Sequence, residues 1–387
     1  MRTLMSFSNS QSWRAPGWQK YVALLLRFYL APAALVGLIC LVLLALLDGF
    51  AYLPAMKHES ALWSVCGDNL RLSPWCSVPS IVALVFLFLA PHLPAQSSRK
   101  VFFDVVCIHQ TDPELKHKGI YSLAGFVANS KELLVPWSTC YLRRAWCVFE
   151  LSVFVAVHGR NAIQFCPLFK STPKFVLFVL AASYIAMLSI GECLGNAAGK
   201  HWVSVIRVLL CTLVFMGVHK LRSIPLVSQE LASQLEKFSV DAADCREDFD
   251  LDFIKRSVEV MYGSKDTFDS FVRKDLKDII TKAETNIHFD YLDTFVTSFP
   301  VVLYLVQHFV ARARCGVPAK ELVSVAAGYV AWVAFIWPAM LKLAFVLTRR
   351  YPLPAVNTPR TYGCSFGITL FLVLVGAADS LAYSLRA

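Results

Sequence analysis

The sequence predicts a mostly α, polytopic helical membrane protein of about six or seven spans, with one small α/β insertion of the parallel-sheet type. Three observations predict it. The 387 residues are 57% hydrophobic and 17% charged, and the mean hydropathy of +0.55 is too high for a soluble chain of this size. Apolar residues gather in blocks of about 17 to 25, the length that crosses a hydrocarbon core of roughly 30 Å as a helix. Between two of these blocks, short β-rich runs alternate with helical patterns.

The spans read as Tyr21 to Leu47, Val78 to Leu93, Lys174 to Cys193, Trp202 to Val218, Thr294 to Val310, Leu322 to Leu347 and Cys364 to Leu385. The second and fifth are the shortest, and Val78 to Leu93 also suits a re-entrant or interfacial segment. Arg2, Arg14 and Lys20 precede the first apolar run as they would in a secretory signal. The run exceeds a signal's apolar core, however, and Leu46-Leu47-Asp48-Gly49 is no cleavage site, so a retained first span is expected. The resulting segments are an N-terminal stretch 1–20, two spans with an outside loop 21–95, an α/β module 96–173, a membrane hairpin 174–218, a helical subdomain 219–293 and C-terminal spans 294–387.

The chain has a net charge of +10, and its Lys and Arg residues crowd two loops. Arg99, Lys100, Lys116, Lys118, Lys131, Arg143, Arg144, Arg160 and Lys170 crowd the first; Lys220, Arg222, Lys237, Arg246, Lys255, Arg256, Arg273 and Lys274 crowd the second. The positive-inside tendency puts both loops and the N-terminus in the cytoplasm. That distribution accounts for the basic balance without a nucleic-acid partner. Cys66 and Cys76 share the loop assigned to the outside, where a disulfide would persist, whereas Cys107, Cys140, Cys147 and Cys166 fall inside and are expected as thiols. No CxxC spacing suggests a metal site. Walker loops, GxSxG elbows, HExxH and GxGxxG are missing too, which removes the common hydrolase and nucleotide-motor classes.

Lys100 to Leu168 reads as the α/β module. Val101 to Val106 is a short strand, Gly119 to Asn129 an amphipathic helix, Glu132 to Trp137 a buried strand, Arg144 to Val157 a helix and Ala162 to Phe165 a third strand. Strands separated by helices imply a parallel, doubly wound sheet.

Phe103-Asp104, the polar loop Ile108 to Lys118, Gly119-Ile120, Ser130, Val135, Ser138, Tyr141 and Arg144-Ala145-Trp146-Cys147-Val148-Phe149-Glu150-Leu151 together resemble a Toll/interleukin-1 receptor (TIR) domain, in a partial and degenerate form. The likeness covers about 65 residues. Such a domain opens with a strand and helix ahead of the Asp-bearing strand. Here that place is taken by the tether Pro94 to Arg99, so the resemblance implies a first strand that is missing or recruited from elsewhere. Cys107 to Asp112 also replaces the usual acidic, Gly-rich loop.

Some TIR domains cleave NAD, and the resemblance carries their catalytic glutamate onto Glu150, with NAD as a substrate and no bound cofactor. A carboxylate near the carboxyl ends of parallel strands sits where open sheets bind ligands, and it would stabilise positive charge on a ribose as nicotinamide leaves. The alternative is a hydrogen-bonded helix residue in a binding module. For ligand binding, Asp104, Ser138, Tyr141 and Trp146 are the candidates. Trp146 would stack on an aromatic ring or simply fill a core; Asp104 would hold a ribose or cap its loop. His109 is an acid–base candidate or a solvated loop residue.

Residues His219 to Asp293 read as helical, with Ser228 to Phe238, Asp252 to Tyr262 and Asp266 to Ile280 in helical period, packing against the module. Asp241, Asp244, Asp248, Asp250 and Asp252 lack the Gly and terminal Glu of a calcium loop. Within the spans, Arg207 and Asp379 are the deep charges of opposite sign that would pair or line a polar cavity, while Arg27, Glu192 and Lys342 lie near span ends and His308 completes the set. Signalling by self-association of the module, with NAD cleavage as an accompanying activity, is the function these readings favour. The alternatives are a channel or transporter with a regulatory module, and a non-catalytic membrane scaffold.

Overall fold

The computed structural model describes residues 3–5, 17–57, 71–93, 101–103, 107–109, 111–193, 196–245, 247–280, 291–354 and 358–384. The chain folds as two compact units. One comprises Met1–Leu24, Pro94–Thr172 and Leu226–Ile287; the other comprises Leu25–Leu93, Pro173–Pro225 and His288–Ala387.

In the first unit, four parallel strands form one sheet: β1 (Thr3–Met5), β2 (Val101–Phe103), β3 (Leu133–Trp137) and β4 (Ile163–Pro167), in the spatial order β2-β1-β3-β4. The strand without a sequence counterpart ahead of Val101 is thus supplied by the N-terminus. Thr3, Leu4 and Met5 pair with Val101, Phe102 and Phe103 on one side, and Leu4 and Met5 pair with Leu133 and Leu134 on the other. The order 2-1-3-4 is that of doubly wound, flavodoxin-like sheets, whose strand order reverses between the first and third strands. β3 is apolar and buried along its whole length because both of its faces are covered.

Helices follow the strands as the periodicity predicts, with shifted ends. The helical stretch read as beginning at Gly119 starts earlier: α3 (Pro113–Tyr121) is capped by Asp112, whose carboxylate accepts from the amides of Glu114 and Leu115 at 2.9 and 3.1 Å. It is followed by α4 (Leu123–Ala128). α5 (Ala145–His158) ends at Gly159, whose φ of +69° is open to glycine without strain.

Three further helices belong to the same unit or enter it: α8 (Ile224–Glu236), α9 (Asp248–Tyr262) and α10 (Lys265–Phe271). Leu231, Leu235, Ile254, Val258 and Phe268 share one core with Val148, Leu151 and Phe154 of α5. The two long loops therefore build a single hydrophobic core. Asp269 is buried in it and accepts the Val240 amide at 3.0 Å. Asp269→Ala is expected to cost about 1–3 kcal/mol by stranding that amide, while Asp269→Asn keeps most of the stability; hydrogen exchange of the full-length protein at residues 238–243 distinguishes the two.

At the surface of this unit, the Asp241 carboxylate accepts from Lys265 Nζ at 3.0 Å and lies 3.3 Å from Lys255 Nζ. These lysines are its partners, and they hold its pKa below the usual carboxylate value. A depressed carboxylate contributes stability above the unfolded value of about 3.9 and loses it as pH falls through its folded value. Since the pair is half exposed, Asp241→Asn is expected to remove only a few tenths of a kcal/mol at pH 7 and nothing at about pH 2. Thermal melts at the two pH values test this.

The second unit is helical, holding most of α1 (Gly17–Gly49) together with α2 (Val78–Leu89), α6 (Leu168–Cys193), α7 (Asn196–Leu221), α11 (Tyr291–Arg314), α12 (Ala319–Ala331), α13 (Trp337–Arg350) and α14 (Pro359–Ser384). Among the described residues, three helical stretches are long and apolar enough to cross a membrane: Gly17–Gly49, Ser171–Ser189 and Ala319–Arg350. This is fewer than the six or seven expected. α7, α11 and α14 have the length, at 26, 24 and 26 residues. α2 continues only as a short turn to His92, so the second expected span is the shortest helix of the set.

Pro32 is accommodated inside a continuous α1, whereas a π turn at Trp332–Ile336 precedes Pro338 in the sixth expected span. Gly37 allows close packing within this unit: a Cβ there would stand 3.0 Å from Ala83 Cβ and 3.1 Å from Phe299 Cε1.

Candidate functional site

In doubly wound sheets, ligands bind outside the carboxyl ends of the strands where the order reverses. Here that point lies between β1 and β3; the connection from β3 to α5 carries Ser138 and Tyr141, and α5 itself carries Trp146 and Glu150. Ser138 through Arg144 form tight turns, with the Tyr141 amide donating to Ser138 O at 3.0 Å and the Arg144 amide to Tyr141 O at 3.3 Å.

Within this connection, Ser138 Oγ lies 3.2 Å from Cys140 Sγ. Tyr141 is buried, its ring 5.9 Å from that of Trp137 and its hydroxyl donating to Cys147 O at 3.5 Å. Trp146 packs edge-on against Phe149 at 5.6 Å and tilted against Phe253 at 6.4 Å, so it fills core space between α5 and α9. Glu150 is 2% exposed, flanked along α5 by buried Phe149 and Leu151. Ser138 and Tyr141 thus lie in the strand-to-helix connection and Trp146 and Glu150 in the helix it leads to, with Tyr141 and Glu150 buried. Asp104 lies outside the described residues.

The start of α5 has no side-chain cap. Its first amide, on Ala145, donates instead to Asp244 O at 3.1 Å, and the Asp244 amide donates to Arg143 O at 2.6 Å. The segment before α9 therefore caps the helix that bears Glu150. Arg143, one of the basic residues of the first loop, faces Glu230 at 3.5 Å as an exposed ion pair. His109 accepts the Asp112 amide on Nδ1 at 3.0 Å and so helps to shape the entry to α3. From α9, the Tyr262 hydroxyl donates to Ser152 O at 2.8 Å, and burial pushes its pKa up.

None of Cys107, Cys140, Cys147 and Cys166 is disulfide-bonded. Among the described residues no group of three or more His, Cys, Asp or Glu side chains is placed to hold a metal ion.

In the second unit, the side chains of Arg207, Asp379 and Glu192 lie outside the described residues, as do Cys66 and the side chain of Cys76. Lys342 is exposed and His308 is buried against Tyr304, with ring centres 4.4 Å apart. Two polar features stand at positions without a sequence motif. Asp48, 2% exposed at the end of α1, accepts from Arg314 Nη1 at the end of α11 at 2.6 Å. Arg222 is buried just past α7 and donates to carbonyls of three other residues. Asp48 is a lone charge at the end of an apolar run and Arg222 follows Lys220 at the end of another, the one signal in the sequence for them.

Comparisons with family models, curated proteins and solved structures find no match to this chain.

Proposed function

We propose that this is a multi-pass membrane protein in which a cytoplasmic, TIR-like α/β module acts in signalling by self-association. The observation that carries the reading is the parallel sheet in the order 2-1-3-4. It gives the residues of the TIR resemblance their first strand, drawn from the N-terminus.

The membrane part of the reading counts seven spans, adding α2, α7, α11 and α14 to the three longest apolar stretches. Its support is the character of the outward faces. Leu35, Ile39, Val42, Leu43 and Leu46 of α1 are exposed, as are Val205, Val208 and Met216 of α7 and Phe366, Leu370 and Phe371 of α14. Helices that show water such faces would aggregate, and lipid is the solvent that suits them. Cys315, in the loop this topology puts outside, is disulfide-bonded, as an oxidising compartment permits.

With Glu150 enclosed, the module's resting role is interaction, and NAD cleavage would require α5 or its preceding loop to open. Full-length protein in nanodiscs is expected to consume no NAD when dispersed and to associate as its membrane density rises, read by mass photometry and by energy transfer between labelled copies. Persistent monomers at every density would overturn self-association. NAD turnover that is lost in a folded Glu150→Ala variant would make the protein a membrane-tethered NAD-cleaving enzyme instead.

A further inference from the structure

The ends of α7, α13 and α14 bring five cations together. Arg222 is 3% exposed, and its guanidinium holds the neighbouring segments: Nε donates to Tyr351 O at 2.6 Å, Nη1 to Thr361 O at 2.7 Å and Ser365 Oγ at 2.6 Å, and Nη2 to Pro352 O at 3.2 Å. The Leu353 amide returns a bond to Arg222 O at 2.9 Å. Beneath these bonds, Val218 and Ile368 are buried together with Leu343 and Leu347 packed against them. The clamp therefore fixes Lys220, Arg349, Arg350 and Arg360, which are all exposed, within one or two residues of the backbone it ties together.

Among the described residues this cluster has no counter-charge. The sequence contains no Asp or Glu between Glu192 and Glu230, nor between Glu321 and Asp379. Among the described residues none of the five cations is in an ion pair. Every acceptor of Arg222 is neutral, so its buried charge is solvated by dipoles without being neutralised.

Helix dipoles account for part of the pattern. Lys220, Arg349 and Arg350 stand in the last turns of α7 and α13, where cations are favoured. They do not account for Arg360, which stands in the first turn of α14, the end that repels a cation. Tyr351 and Tyr362 are exposed beside the cluster, and His219 lies flat on the Tyr362 ring at 4.9 Å while its Nδ1 is 3.0 Å from Ser365 Oγ. Aromatic rings of this kind sit at the headgroup level of a bilayer.

We propose that Lys220, Arg349, Arg350 and Arg360, held by the Arg222 clamp, form a binding site for the phosphate-bearing headgroup of an anionic phospholipid. The inference rests on the membrane reading above, which puts the ends of α7 and α13 and the start of α14 at one bilayer surface. An anionic lipid supplies the missing charge and is concentrated at the cytoplasmic leaflet, where each nearby Lys or Arg adds to the attraction.

The test loads full-length protein into nanodiscs of equal phosphatidylserine and phosphatidylcholine, then measures retained lipid by native mass spectrometry after gentle detergent extraction. Wild type is expected to retain phosphatidylserine with roughly tenfold preference. The variant Lys220→Gln/Arg349→Gln/Arg350→Gln/Arg360→Gln, which alters only exposed side chains, should lose that preference. A matched variant with four glutamines at Lys237, Lys255, Lys274 and Lys277 should keep it. Equal retention of both lipids by wild type, or unchanged preference in the first variant, overturns the proposal. Displacement of the lipid by millimolar inorganic phosphate or glycerol phosphate also overturns it, in favour of a soluble phosphate ligand. Failure of the wild type to enter nanodiscs at all would identify the membrane reading as the error.

Discussion

Leu4→Pro is expected to unfold the first unit while leaving the second intact. Leu4 is the middle residue of a three-residue strand that pairs on both sides, with Phe102 and with Leu133. Proline removes an N–H from this ladder and cannot be accommodated in a central strand. The combined loss of a buried hydrogen bond and of strand geometry is worth at least about 3 kcal/mol, a large share of the 5–15 kcal/mol that holds a typical domain together. Limited proteolysis of full-length protein in nanodiscs should then cut within 101–167 and 231–276, with the helices of the second unit still protected. If Thr3–Met5 were an incidental partner of the sheet, Leu4→Pro would cleave like wild type.

The second large effect is expected at Asp48 and Arg314. Their side chains are 2% and 17% exposed and meet at 2.6 Å. Removing one member of a buried pair leaves an uncompensated charge, at a cost of about 3–5 kcal/mol. Asp48→Ala and Arg314→Ala should each lower the melting temperature of the purified protein markedly. The double variant should recover part of the loss, because it buries no orphan charge. Additive losses in the double variant would show that the pair is not coupled.

Much of the first unit was legible because its elements carry strong local patterns. Leu133 to Trp137 is a continuous apolar run bounded by polar residues, and α5 follows helical period almost to its observed ends, whereas α9 begins at Asp248, a turn ahead of the Asp252 that the pattern marks. The N-terminal strand was not legible in position. Thr3-Leu4-Met5 is too short to show alternation, and its partners lie about a hundred residues away, so only the gap it fills could be inferred. The cap that Asp244 gives to α5 was hidden for a similar reason: it is made by backbone atoms, which carry no residue signature.

In the candidate site, residue types pointed to Ser138, Tyr141, Trp146 and Glu150, of which the first two lie in the loop after β3 and the other two in α5. What composition could not convey is enclosure. α9 folds over α5 through Phe253, packed on Phe149, and Tyr262, bonded to Ser152 O, contacts made across about a hundred residues. Arg222 and Asp48 read as ordinary loop and span-end charges because their partners, carbonyls around Tyr351 and Thr361 in one case and Arg314 in the other, are more than a hundred residues distant.

The central claim is that the α/β module and the helices packed on it occupy one side of a membrane crossed seven times. It is tested most directly by epitope insertions at Gly159, Gly263 and Gly316, three turn glycines with positive φ where insertions are tolerated. In sealed vesicles, external protease should treat the tags at Gly159 and Gly263 alike and the tag at Gly316 oppositely, with detergent abolishing the difference. All three tags responding together would contradict the account, because α11 would then not cross the membrane.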